Sequence, residues 1–243
     1  MKKIQYFSGI IASIAVVIIL LISSFEIAMY SDFDYYQEEY TKYDVLSDLN
    51  MEMEDIMYVT EEMMAYLRGE RETLSVVTMV DGREQDFFNG QDRFHMWEVQ
   101  KLFTGGLTLR RGAVSILINC LLIMALSLEK ERKNIVQNLK VIMCRSYQIV
   151  MGILAVAVGL TGIAVMRDFD KVFTLFHKIF FDNDLWIFDP AEDYMIRMLP
   201  QGLFYDFVIR IGGLFIGMLV GVLIISIYLN KKMIKIKKVK KIC

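Results

Sequence analysis

The chain has 243 residues, is 55% hydrophobic with a mean hydropathy of +0.41, and balances 27 basic against 29 acidic residues for a formal charge of −2. A soluble domain of this size does not bunch its apolar residues into long blocks, so the sequence is read as an α-helical membrane protein. A net charge this close to zero gives no reason to expect nucleic acid as a partner.

Lys2 and Lys3 precede the first apolar block, residues 7–25. No small-x-small cleavage site follows it, so the block is expected to stay as an anchor. Further blocks at 113–128, 147–166 and 207–229 give four candidate spans, against roughly 20 residues needed to cross ~30 Å of hydrocarbon. The second is the shortest.

Between the first two blocks, residues 30–111 hold 18 acidic and 8 basic side chains, and residues 167–205 hold 7 and 4. The other side is basic, with Lys130, Arg132, Lys133, Lys140 and Arg145 in the middle and seven lysines from Lys231 to Lys241. The positive-inside rule then puts both termini in the cytoplasm and the acidic segments outside. The expected organisation is a tail and first helix (1–29), an outer cap segment (30–111), two helices with a cytoplasmic loop at 129–146 (112–166), a second cap segment (167–206), and a fourth helix with a basic tail (207–243). Glu26 and Arg210, near outer ends of spans, are expected to snorkel. Cys120, Cys144 and Cys243 all fall outside the cap segments, which excludes a disulfide framework or a thiol nucleophile there.

Within the first outer segment, apolar residues recur every three or four positions from Leu46 to Leu67, which predicts one amphipathic helix from Asp44 to near Gly69. The β-branched run 74–80 followed by Asp81-Gly82 predicts a small hairpin. Residues 91–103 predict a second helix with His95, Glu98, Val99 and Leu102 on one face, and Gly105-Gly106 a loop before the second span. The second outer segment holds both prolines, Pro190 and Pro200, among Phe173, Phe176, Phe180, Phe181, Trp186 and Phe188. The fold class is therefore four transmembrane helices with a small extracytoplasmic cap of helices and one β-hairpin.

His95 and His177 are the only histidines, and both stand in the outer segments near predicted spans. Histidine is the side chain whose ordinary pKa suits proton transfer near neutral pH. The plain alternative is an interfacial packing role. His95 and Glu98 at i, i+3 suit a proton-handling pair or two metal ligands. With two histidines and no outer cysteine, a zinc site is poorly supplied and no metal is assigned. Asp182-Asn183-Asp184 lacks the glycine and glutamate of a calcium loop. No outer serine stands in a Gly-x-Ser-x-Gly or Ser-x-x-Lys pattern, and no glycine pattern suits a phosphate cradle. An acid–base site, a zinc-dependent membrane hydrolase using His95, Glu98, His177 and Asp182, and a non-catalytic sensor or assembly factor all stay open at this point.

The stretch Phe176-His177-x-x-Phe180-Phe181-x-Asn183-x-x-Trp186, then Pro190, Asp193, Ile196, Pro200, Phe204 and Asp206, resembles the signature of the lipoprotein intramolecular transacylase (Lit) family. Phe88-Asn89 through His95-Met96-x-Glu98-Val99 resembles that family's other motif. The resemblance covers the whole chain and implies a bacterial cell-membrane acyltransferase without a cofactor. Its substrates would be diacylglyceryl-modified lipoproteins set among membrane lipids. It implies transfer of the sn-2 acyl chain to the α-amino group of the lipoprotein's own N-terminal cysteine, giving the lyso-form. Amine and ester on one molecule need positioning more than a protein nucleophile. His95 and His177 are then expected as the acid–base pair, with His177 favoured as base. Glu98, Asn183, Trp186, Asp193 and Arg197 would position, and Phe176, Phe180 and Phe181 would exclude water.

Overall fold

A computed structural model describes residues 2–130 and 134–239; the expectations placed on Arg132, Lys133 and the last four residues lie outside the described residues. The elements in order are α1 (Lys2–Tyr30), α2 (Asp34–Lys42), α3 (Val45–Leu49), α4 (Met53–Arg68), β1 (Val77–Val80), β2 (Arg83–Asp86), α5 (Gly90–Lys130), α6 (Ile135–Arg167), α7 (Phe169–Phe180), α8 (Tyr194–Met198) and α9 (Gln201–Val239). Four of these helices, α1, α5, α6 and α9, are long and apolar enough to cross a membrane. The protein is an α-helical membrane protein with a small hairpin outside its four long helices. The chain divides into two compact units.

The first unit comprises Met1–Phe25, Thr108–Met166 and Gly212–Cys243. Among its described residues, Ala12, Cys120, Met124, Leu128 and Ile142 form one buried apolar cluster. Large apolar side chains such as Leu126, Ile153 and Met166 are exposed, as lipid-facing positions are. Helices approach closely where side chains are small. A Cβ on Gly9 would stand 2.5 Å from Ser146 Oγ and 2.9 Å from Ile142 Cγ2. Tyr147 Oη donates to the Leu219 carbonyl at 3.0 Å, and Gln148 Nε2 to Ser226 Oγ at 3.3 Å.

The second unit, Glu26–Leu107 with Arg167–Ile211, has a denser core built on Tyr36, Tyr40, Leu49, Ile56, Met64, Phe87, Phe88, Met198 and Leu203. Its buried tyrosines find partners for their hydroxyls. Tyr40 Oη lies 2.6 Å from Thr60 Oγ1, and Tyr36 Oη donates to the Met29 carbonyl at 3.1 Å. The helix predicted from 44 to 69 is in fact two. Asn50 adopts a left-handed conformation (φ 48°) that ends α3, and extended Glu52 then opens α4. α2, which the periodicity reading does not anticipate, precedes both.

The hairpin forms where expected. Asp81 and Gly82 both have positive φ (51° and 72°), the pattern of a two-residue turn, and Val80 pairs with Arg83 and Val77 with Asp86. Val76 and Val80 point into the core. Glu26 and Arg210 do not snorkel alone: Glu26 pairs with Arg68 at 2.9 Å and Arg210 with Asp32 at 2.9 Å.

The largest departure concerns Gly105-Gly106, which lies inside α5 and makes no loop. α5 runs unbroken for 41 residues, about 60 Å at 1.5 Å per residue. That is twice the hydrocarbon thickness, so its apolar stretch at 113–128 is enough to cross, and its first turns, with His95, belong to the second unit. The short second block is the apolar part of a long helix.

Candidate active site

The start of α5 is fixed by a reciprocal cap. Asn89 Oδ1 accepts from the backbone N–H groups of Gln91 (2.8 Å) and Asp92 (3.0 Å), and Asp92 Oδ2 accepts from the Asn89 N–H at 2.9 Å. Asp92 is fully buried. Burial pushes its carboxyl up to about 6, against the Asn89 N–H that favours the charged form, and nearby Asp193 pushes in the same direction as burial. Asn89 Nδ2 donates to Asp193 Oδ1, while Asp193 Oδ2 accepts from the Asp189 N–H at 2.8 Å. Gln91 Nε2 reaches the carbonyls of Leu185 (3.1 Å) and Ile187 (3.0 Å). These bonds tie the segment after α7 to the first turn of α5. His95 stands one turn further on, 6% exposed.

α7 carries the second histidine. Asp168 caps it by accepting from the Lys171 N–H at 3.1 Å. Phe169, Phe173 and His177 follow at i, i+4, i+8 and so share a face. His177, 7% exposed, contacts Phe173 (ring centroids 4.3 Å apart), Trp186 (4.8 Å), Phe181 (5.5 Å) and Phe176 (5.5 Å). Phe181 also meets His95 at 4.9 Å, and Phe188 meets it at 5.4 Å. The two imidazoles stack at 5.9 Å with 23° between their planes. Phe176 (43% exposed) and Phe180 (52%) pack on each other at 4.8 Å on the open side of α7.

The hydrogen bonding of the two rings differs. His177 Nδ1 lies 2.8 Å from the Phe173 carbonyl, which only accepts, so Nδ1 carries the proton and Nε2 of the neutral ring holds the lone pair. His95 Nδ1 is buried with no hydrogen-bond partner among the described residues. Burial lowers the pKa of His177, opposed by its bond to the Phe173 carbonyl. Burial, then the charge that His177 would bring, lowers His95 to about 4. Both rings are neutral at pH 7, and two imidazoliums at this separation are disfavoured.

Of the residues singled out in the sequence, Phe176, Phe181 and Trp186 touch a histidine. Phe180 is one step removed through Phe176. Asn183 Nδ2 donates to Glu98 Oε1 at 2.9 Å, so these two pin the loop after α7 to α5. Glu98 is bonded to Asn183 and makes no hydrogen bond to His95. Asp193 acts on the cap of α5. Arg197 lies apart from this group: Nε donates to Asp48 Oδ2 at 3.0 Å, Nη2 to the Asp48 carbonyl, and Nη1 lies 3.5 Å from Asp81. It joins α8 to α3 and the hairpin turn. Asp182 is exposed, and among the described residues no group of three or more His, Cys, Asp or Glu is placed to hold a metal ion. Sequence reasoning misses the supporting roles of Gln91 and Asp92, since the partners of the first lie about a hundred residues on and the second depends on burial.

No curated protein matches the sequence. Among solved structures, the in meso structure of the membrane integral lipoprotein intramolecular transacylase Lit from Bacillus cereus superposes with a TM-score of 0.69 at 18% identity, over 98% of this chain and 100% of that one. The Bacillus cereus protein with a histidine-to-arginine mutation gives 0.67 at 18% identity (98% and 96% covered), and with a histidine-to-alanine mutation 0.66 at 17% (98% and 97%). At these identities the likeness speaks for the fold. A profile of the family described as lipoprotein intramolecular transacylase Lit matches residues 10–204. With that match spanning most of its length, the chain belongs to the lipoprotein intramolecular transacylase family Lit and is a multi-pass membrane acyltransferase.

Proposed function

We propose that the protein transfers the sn-2 acyl chain of a diacylglyceryl lipoprotein to the α-amino group of that lipoprotein's N-terminal cysteine, with His177 and His95 as the working pair. The carrying observation is the unequal bonding of two stacked, neutral imidazoles: His177 has its Nδ1 proton held by Phe173 and its Nε2 lone pair free.

In this reading the neutral amine attacks the ester carbonyl carbon, and the cost of bringing both groups together is met by positioning within the site. His177 Nε2 takes a proton from the attacking nitrogen. The carbonyl oxygen, charged in the tetrahedral intermediate, accepts a hydrogen bond from neutral His95, a role a neutral imidazole can fill. As the intermediate collapses, the bond from carbon to the glyceryl 2-oxygen breaks and the His177 imidazolium returns its proton to that oxygen. A C–N bond replaces a C–O bond, one proton moves from nitrogen to oxygen, and both histidines end as they began. Phe173, Phe181, Trp186 and Phe188 keep water from the intermediate.

The acidic excess of residues 30–111 and 167–206, against the basic residues elsewhere, supports an outward-facing cap and cytoplasmic termini. That is the side on which a lipid-modified N-terminus would be presented. The test is alanine replacement of each histidine in a bacterium lacking amino-terminal acylation, with mass spectrometry of lipoprotein N-termini. Loss of general acid–base help is expected to cost about 10² to 10⁴ in rate for His177→Ala. Undiminished lyso-form in either variant refutes the pair.

A further inference from the structure

Glu98 follows His95 by one helical turn, where Cβ atoms are about 5–6 Å apart. Its Oε1 is held by Asn183 Nδ2 at 2.9 Å, and Asn183 Oδ1 accepts from the Leu185 N–H at 2.9 Å, which fixes the amide so that Nδ2 is the donor. The second oxygen, Oε2, is buried with no hydrogen-bond partner among the described residues, like His95 Nδ1 on the same helix face. Leaving a carboxylate oxygen buried and unbonded is costly, and an arriving donor relieves that cost. Nearby cations of α5 are engaged elsewhere: Lys101 Nζ lies over the Trp97 ring at 3.0 Å, and Arg93 pairs with Asp86 at 2.5 Å.

We propose that Glu98 Oε2 is the subsite for the substrate's α-ammonium group, which selects lipoproteins with a free N-terminus. This rests on the acyl-transfer reading above. An α-amino group has an ordinary pKa of about 7.7–8.0, so near pH 7 it arrives mostly charged. Its extra proton leaves to solvent before attack, and a remaining N–H still donates to Glu98. As the C–N bond forms the nitrogen becomes cationic again until His177 removes a proton, and the carboxylate stabilises that charge. The amide product is neutral and lacks the ammonium, so Glu98 favours its release.

The experiment measures binding of a synthetic dialkylglyceryl-cysteine lipopeptide, whose ether links cannot react, in free-amine and N-acetylated forms. Wild-type protein is expected to prefer the free amine about tenfold at pH 6.5, the value of a charge-assisted hydrogen bond, with the preference falling toward unity at pH 9.5. Glu98→Gln is expected to lose the preference while binding the N-acetylated form as before. Equal wild-type binding of both forms at pH 6.5 overturns the proposal, and so does a preference that survives Glu98→Gln, or a Glu98→Gln variant that weakens both forms alike. If Glu98→Gln does not fold, Glu98→Ala takes its place under the same criteria, and equal binding of both forms by the wild type at pH 6.5 overturns the proposal without any variant. His95→Ala and His177→Ala are expected to keep the preference, so failure of the histidine mechanism and failure of the ammonium subsite give different results.

Discussion

Asp92 offers a quantitative check on how the site is built. Its carboxyl is fully buried at the cap of α5, one turn before His95, and is pushed from an ordinary 3.8 to about 6. A carboxyl with a raised folded-state pKa binds its proton more tightly in the folded protein, so it costs nothing below pH 3.8 and its full penalty above 6. That penalty is about 2 to 3 kcal/mol at pH 7.5, at 1.36 kcal/mol per pKa unit. Asp92→Asn keeps an oxygen to accept from the Asn89 N–H, and its new amide N–H groups suit the neighbouring Asp193. The variant is therefore expected to be more stable than wild type at pH 7.5, with the gain shrinking to nothing by about pH 4. Thermal unfolding of the detergent-solubilised pair across this range, read as the difference in Tm, measures it. A difference that does not change with pH, or a variant less stable at pH 7.5, refutes the argument that a buried, charged Asp92 strains the cap.

Arg197→Ala is expected to lower stability by about 1 kcal/mol, since its partners Asp48 and Asp81 are partly exposed, and to leave turnover within about threefold at a permissive temperature; a loss beyond a hundredfold in stable protein would make it a group that touches substrate. Gly9→Ala drives a methyl into Ser146 and Ile142 and is expected to destabilise the first unit by about 1–3 kcal/mol, partly relieved by adding Ser146→Ala; thermal unfolding of the single and double variants measures both effects.

What the sequence made legible follows from which signals are local. Asp81-Gly82 announces a turn because both positions need positive φ, and the hairpin formed there. The four spans are runs of apolar residues and cannot be hidden. α2 escaped because its buried face is Tyr36 and Tyr40, whose hydroxyl partners Met29 and Thr60 come from other elements. The break at Asn50 escaped because the apolar period continues through it. Gly105-Gly106 read as a loop because each glycine costs about 1 kcal/mol in a helix, a cost outweighed here by the continuous helix on both sides.

The site divides along the same line. That His95 and His177 matter was visible from their rarity and their neighbours, but the two are equivalent on paper. The difference between them arises only when α7 forms, because its helical geometry brings the Phe173 carbonyl, four residues back, against His177 Nδ1. No such carbonyl meets His95 Nδ1. One ring is thereby set as an acceptor through Nε2, and the other is left able to donate. Stacking at 5.9 Å then couples them, since a proton on either disfavours a proton on the other. In the proposed reaction a single proton cycles through His177 while His95 stays neutral. The proposed ammonium subsite fits beside this pair: the Glu98 carboxyl, one turn on from His95 and held by Asn183, would meet the substrate nitrogen without requiring either imidazole to be charged.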